Sequence, residues 1–292
     1  KKCQVCRRHP GATQRSRKSR LGRRGIAVNL AAVAGTARPA LGSGVAKTLD
    51  GFPSTGKLAG TFLWERIING PVRSRRLGVS LGLNILPPRS KLCTMDCPYC
   101  ECGFNSPKAP GERWPSPDVV ADAVRKTLGF RREAGAPAPD WITFAGNGEP
   151  TMHPRFPVVV DRVLAARDEA APGLKVGILS NGLAAGQPAI RDALNRLDAR
   201  MMKLDPGPAR AVNGVEYDRA LLVENYRGLR DVIVQAMFVA GPGFSGAAQE
   251  AVAEWLGWLA RIEPAGVHIY SIMRTPADSR IKAVARDRCA ST

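Results

Sequence analysis

The chain has 292 residues, 44% of them hydrophobic, enough to bury a core as one large domain or two modest ones. No long uncharged apolar run is present, which argues against a membrane-spanning helix. The formal charge of +18 is concentrated: residues 1–60 carry thirteen Lys and Arg against Asp50 alone, and residues 61–292 carry thirty against twenty-four acids. The main body is therefore only mildly basic, and charge by itself assigns no polyanionic partner.

In chain order, residues 1–60 are rich in Arg, Ser, Gly, Ala and Thr without a sustained helical or strand period, and read as a disordered or non-domain extension. Within it, Cys3 and Cys6 with His9 form half of a zinc knuckle that lacks a second pair of ligands, so they read as incidental. The stretch "RRGIAVNLAAVAGTARPA" has the outline of a twin-arginine export signal, but Asn29 interrupts its apolar run, and it is not read as one. Seven cysteines, four of them within Cys93 to Cys102, do not form a secreted disulfide framework. Such clustering points to metal or redox chemistry in a cytoplasmic protein with no membrane association.

From Thr61 short apolar runs alternate with amphipathic segments. A strand precedes the cysteines, and "SPDVVADAVRKTLGF" is a helix capped by Ser116 with Pro117 at its first position. Strands follow at 141–146, 175–182, 199–205, 231–241 and 266–273; helices are expected at 156–169, 188–196, 217–230 and 247–262. The last helix places Val252, Trp255, Leu256 and Leu259 on one face. About six strand–helix units with short connections imply parallel strands and right-handed crossovers, hence a barrel or a doubly wound sheet. Ligands in either fold sit at the carboxyl ends of the strands. The unusual residues fall there: the cysteines after the first strand, "GNGEPT" after the second, "SNG" after the third and "KLDPG" after the fourth.

Cys93, Cys97 and Cys100 have the spacing C-x3-C-x2-C. A structural zinc takes two well-separated ligand pairs, and no second pair follows. A cubane iron–sulfur cluster takes one thiolate per iron, so three cysteines on a short loop can wrap one and leave the fourth iron open. Cys102, two residues beyond Cys100, reads as a non-ligand, because both thiols reaching one cubane would strain so short a segment. The alternative is that Cys102 closes the site, which would make a non-catalytic iron–sulfur or zinc-binding protein.

This spacing, with Tyr99 just before the third cysteine, resembles the signature of the radical S-adenosylmethionine (SAM) superfamily. The runs "GPVRSRRLGVSLGLNILPPRSKLCTMDCPYCECG", "FAGNGEPTMHP", "LSNG", "MKLDPG" and "VQAMFVAG" resemble a group of stand-alone iron–sulfur oxidoreductases related to the wyosine-type tRNA-modifying enzymes. The similarity spans roughly residues 61–285. It implies an α/β fold, a partial (β/α)6 parallel barrel, with the cluster loop after its first strand. It also implies a [4Fe-4S] cluster and S-adenosylmethionine as cofactors, an electron donor such as flavodoxin or ferredoxin, and a substrate that in the wyosine-type reading is a tRNA base. Cys93, Cys97 and Cys100 would hold the cluster, and Tyr99, Gly146, Gly148, Glu149, Pro150, Ser180 and Asn181 would surround S-adenosylmethionine. The glycines of "GNGEP" read as positions where the backbone must approach closely.

Lys203 and Asp205 either face the lumen or pair structurally. Arg73 to Arg76 are either a substrate-phosphate contact or a solvated turn. His153, before Pro154, leads into a helix, and His268 reads as a core histidine. Two departures from the resemblance stand out: residues 1–60 have no counterpart in it, and the chain stops soon after "RTPADSRIKAVARDR", where the family continues into another helix.

Overall fold

A computed structural model describes residues 28–29, 62–74 and 77–284. The segment before the cysteines is a hairpin: β2 (Ile68–Ser74) runs antiparallel to β3 (Gly78–Leu83). From β3 onward every neighbour is parallel, through β4 (Trp141–Phe144), β5 (Lys175–Ser180), β6 (Ala199–Lys203), β7 (Val232–Met237) and β10 (Gly266–Tyr270). A two-residue strand, β1 (Val28–Asn29), adds in parallel outside β10. The sheet order is β1-β10-β7-β6-β5-β4-β3-β2, so β3 and β10 do not pair and the barrel stays open. The six parallel strands are those expected, and the antiparallel β2 is an edge that the alternation did not announce.

The helices cover one face because each carries apolar residues at helical spacing. In α1 (Pro117–Glu133) the N–H of Val119 donates to Ser116 Oγ at 3.3 Å, and Val120, Ala121, Val124 and Leu128 are buried. In α2 (Phe156–Ala170) the buried stripe is Phe156, Val159, Val160, Val163 and Ala166. Shorter helices α3 (Pro188–Asn195) and α5 (Arg219–Arg227) continue the layer. In α6 (Gln249–Ile262) the buried face is Val252, Trp255, Leu259 and Ile262. Leu256, placed on that face from the sequence, is 46% exposed, because the 3.6-residue period carries it past the edge of the stripe. Under the helices lie Leu81, Leu83, Ile142, Phe144, Val176, Ile178, Val234 and Ala236. Alternate strand positions are polar: Ser80 and Thr143 share a hydrogen bond at 2.8 Å, and His268 stands in register with Gln235.

The strand expected over 231–241 is two. Met237 is the last residue of β7 in register with β10, and β8 (Val239–Gly241) pairs instead with β9 (Phe244–Ser245) and β11 (Lys282–Ala283) in a small separate sheet. Phe238 is the pivot. Its ring packs edge-on to Trp255 at 5.4 Å in the main core, while Val239 turns into a second apolar cluster around the cysteines. One more helix, α4 (Ala209–Asn213), fills the "KLDPG" connection and was not anticipated; at five residues it is too short for a period to be read.

Candidate functional site

The cysteine loop leaves the carboxyl end of β3 and is pinned from several sides by backbone hydrogen bonds. The N–H of Leu92 donates to Asn147 O at 2.9 Å, and Leu92 O accepts from the N–H of Glu149 at 2.9 Å. The N–H of Asp96 donates to Asn213 O at 2.9 Å, and Pro98 O accepts from Asp278 at 2.8 Å. Two tight turns, from Cys100 N–H to Cys97 O and from Gly103 N–H to Cys100 O, wind the segment around its own thiols. Cys93, Cys97 and Cys100 consequently share one apolar cluster with Met95, Tyr99, Val212, Val239 and Ile281. Cys102 is buried outside it and donates to Gly146 O at 3.6 Å.

The thiols are electrostatically distinct. Burial pushes Cys93 up to about 12, with the Glu149 charge adding to it, and burial likewise raises Cys97. Cys100 is lowered to about 6 by the adjacent Cys102 thiol and the charge of Lys91, and Cys102 is raised by Cys100 and by burial. Two ammonium groups lie close by, Lys91 buried and Lys203 partly buried. Lys91, which the sequence reading passed over, bridges Asp96 at 3.1 Å and Gly103 O at 2.7 Å. Burial works against its charge, but Cys100, Asp96 and Cys93 outweigh burial and raise its pKa. Lys203 is held charged in the same way, against burial, by Asp205 and by the thiols of Cys97 and Cys100.

Cys93, Cys97 and Cys100 fit a [4Fe-4S] cluster. They lie on one loop in one apolar cluster, and the ammonium groups of Lys91 and Lys203 offset thiolate charge. Among the described residues, no three His, Cys, Asp or Glu side chains converge as a single metal ion would need. A cubane makes the lesser demand of one thiolate per iron.

The "GNGEP" turn packs directly against this loop. A Cβ on Gly148, whose φ is +134°, would stand 1.8 Å from Leu92 O, and one on Gly146 would stand 2.2 Å from Asn84 Oδ1. The close approach that requires glycine is thus made to the protein's own cysteine loop. Asn147, fully buried between the two, accepts from the N–H of Trp64 at 2.7 Å and donates to Pro87 O at 3.0 Å, a clamp not foreseen from sequence. Glu149 is buried, and burial raises its pKa. Its carboxyl accepts from Ser180 Oγ at 2.8 Å, from the N–H of Asn181 at 2.7 Å and from Thr151 Oγ1 at 2.7 Å, while Pro150 opens the short 3-10 turn Pro150–Met152. The Asn181 amide reaches Thr94 Oγ1 at 2.8 Å and Cys93 Sγ at 3.5 Å. Glu149, Ser180 and Asn181 therefore meet at the first cysteine, although they come from different strand ends.

On the other side, Lys203 and Asp205 do both things that the sequence left open. They pair at 3.5 Å, and they face the cysteines. The Tyr99 hydroxyl donates to Asp205 Oδ2, and Lys203 Nζ lies 5.0 Å from the centre of the Tyr99 ring. Asp205 also accepts from Asn213 Nδ2 at 2.8 Å and from the N–H of Met237 at 2.8 Å. Burial and the neighbouring Asp205 hold the Tyr99 hydroxyl well above its ordinary pKa.

The remaining candidates lie apart. His153 leads into α2 as expected: its Nδ1 accepts from the N–H of Arg155 at 3.1 Å, and its Nε2–H donates to Pro115 O at 2.9 Å. Arg73 is exposed on β2 at the sheet edge. Arg75, Arg76, Cys3, Cys6, His9 and Cys289 lie outside the described residues. No helix among the described residues is long and apolar enough to cross a membrane.

No family model matches the chain. A UPF0026 protein of Helicobacter pylori is 32% identical over 150 residues, which are 51% of this chain and 46% of that protein. A UPF0026 protein of Methanocaldococcus jannaschii is 26% identical over 226 residues, 73% of this chain and 65% of its own length. The chain thus spans between about half and two thirds of these relatives. Among solved structures, a radical SAM methyltransferase from Sphaerobacter thermophilus superposes with a TM-score of 0.50 at 14% identity, covering 73% of this chain and 61% of that one. The fold is the partial α/β barrel of the radical SAM type, as the cysteine motif implied.

Proposed function

We propose that the chain is a radical SAM oxidoreductase whose cysteine loop holds a [4Fe-4S] cluster through Cys93, Cys97 and Cys100. When bound, the cluster and S-adenosylmethionine together supply reductive cleavage of the sulfonium carbon–sulfur bond and a 5'-deoxyadenosyl radical for hydrogen abstraction. The observation that carries this reading is the gathering of three thiols from one loop into one apolar cluster at the carboxyl ends of the barrel strands, flanked by buried Lys91 and partly buried Lys203.

The chain's own groups have separable tasks in this reading. Lys91 and Lys203 offset thiolate charge. The apolar wall of Met95, Val212, Val239 and Ile281 excludes water and so strengthens those attractions. Glu149, a buried acceptor beside Cys93, suits the ammonium of a bound amino acid, with Gly146, Gly148 and Pro150 shaping the turn that presents it. Ser180 and Asn181 bracket Glu149, and Tyr99 closes the opposite side. A small one-electron donor such as flavodoxin or ferredoxin would deliver the electron.

Anaerobic iron–sulfur reconstitution, followed by dithionite and S-adenosylmethionine, tests the reading by assay of 5'-deoxyadenosine. Product well above a Cys97→Ala control is expected. Product no greater than that control, from protein that has taken up iron and sulfide, overturns it.

A further inference from the structure

Two of the three predicted ligand sulfurs have a side-chain amide donor from outside the ligand set, and the one on Cys97 has no counterpart in any sequence motif. Cys93 is met by Asn181 Nδ2 at 3.5 Å. Cys97 is met by Asn213 at the end of α4, whose Nδ2 lies 3.6 Å from the sulfur across 116 positions of sequence. Asn213 is fully buried and fully engaged. One amide hydrogen goes to Asp205 Oδ2 at 2.8 Å, the other is shared between Cys97 Sγ and Tyr99 Oη at 3.3 Å, and the oxygen accepts from the Tyr217 hydroxyl at 2.9 Å.

The Asp205 carboxylate, which only accepts, fixes Nδ2 on the side of the sulfur, and the Tyr217 hydroxyl holds the other end of the amide at Oδ1. The backbone beneath is clamped separately. Asn213 O accepts from Asp96, and Gly214, with φ +75°, lies so close that a Cβ would stand 2.2 Å from Asp96 O. Position and donation are thus carried by different atoms, the main chain holding the cysteine loop and the side chain serving its sulfur.

We propose that Asn213, oriented by Tyr217, is a positioning residue that sets the reduction potential of the cluster through its N–H···S contact to Cys97. This rests on the cluster reading given above. Reduction adds negative charge to the cluster and its thiolates, so a donor on a ligand sulfur favours the reduced state more than the oxidised one. Tyr217 also lines a cleft of about 680 Å³ with Arg219, Phe244 and Glu254. The contact to Cys97 is therefore one hydroxyl away from an open cleft at the protein surface.

The test is the midpoint potential of reconstituted wild type, Asn213→Leu and Tyr217→Phe, titrated without S-adenosylmethionine, beside iron and sulfide counts. All three are expected to hold the same cluster. In Asn213→Leu, reduction becomes about tenfold less favourable, a shift of about 59 mV to more negative potential for a one-electron couple. Tyr217→Phe, which leaves the donor held by Asp205 but releases the amide oxygen, shifts the same way by less. If Asn213→Leu does not fold, Tyr217→Phe alone decides. Unchanged potentials overturn the inference and leave the cluster reading standing, as does loss of iron from Asn213→Leu with no shift in Tyr217→Phe. A wild-type protein that takes up no cluster overturns the reading beneath it.

Discussion

Cys102 shows how much a single side chain's direction decides. It follows Cys100 by two residues, yet its thiol donates to Gly146 O at 3.6 Å and stays outside the apolar group that collects Cys93, Cys97 and Cys100. Cys102→Ala is therefore expected to reconstitute with the iron and sulfide content and visible spectrum of wild type, whereas Cys97→Ala loses the spectrum. Loss in both would make Cys102 a ligand. His153 gives a pH dependence of known sign. Burial lowers its pKa from about 6.5, while its Nδ1 accepts from Arg155 and cannot do so when protonated. Below about pH 6.5 the unfolded chain then binds a proton that the folded one does not, so stability falls with pH until the folded-state pKa is passed. In thermal melts between pH 7 and 5, His153→Gln should flatten this decline, and an unchanged slope would place the titrating group elsewhere. At this scale the grouping of Cys93, Cys97 and Cys100 was legible because three thiols on one loop carry their spacing with them. Lys91 and Asn213 were not, since one looks like an ordinary surface lysine and the other meets its sulfur only through the fold.

Elements were legible where period and caps agreed. Ser116 before Pro117 and an apolar stripe gave α1 its start, and the cap bond is present at 3.3 Å. Ser116→Ala should cost about 1 kcal/mol in denaturant unfolding, with no change in cluster content. The turns between elements were harder, because a glycine reports that something comes close without saying what. At Gly148 the neighbour is the carbonyl of Leu92, next to the first cysteine, and φ is +134°. Gly148→Ala therefore cannot be accommodated without moving the cysteine loop. It should cost about 3 kcal/mol and reduce iron uptake together. Reduced stability with full iron uptake would show that the loop tolerates the shift. The break at Phe238 escaped the sequence reading for a similar reason: "AMFVAG" has no polar residue, and what divides it is that Phe238 and Val239 enter two different cores.

For the whole molecule, strand–helix alternation specified parallel strands in a barrel or a doubly wound sheet and the family resemblance specified the barrel, but neither said what packs over the cysteine loop. That task falls to segments whose sequences have no period. Residues 62–64 reach the cysteine loop through the N–H of Phe62 to Glu101 O at 3.0 Å, and residues 271–284 do so through Asp278 to Pro98, the Arg274–Glu101 ion pair and Ile281. Arg274 also lies over the Phe62 ring at 5.8 Å, so the two segments meet across the loop. Of these contacts, the exposed ion pair contributes little, about 0–1 kcal/mol, while Ile281, 4% exposed against Val239 and the cysteines, carries the apolar burial. Ile281→Ala should therefore weaken the cover by about 3 kcal/mol. The β11 pairing is two residues long and lies outside the main sheet, so the opening it permits is local. Amide exchange over 271–284 and 93–103 should accelerate by about a hundredfold, the factor corresponding to that energy, while the strands from β3 to β7 keep their protection. Arg274→Ala should accelerate the same amides by no more than a few fold. Uniform acceleration across the barrel in Ile281→Ala would mean that the cover and the barrel unfold as one unit. The small sheet would then be an integral part of the core and not a cover over the cysteines.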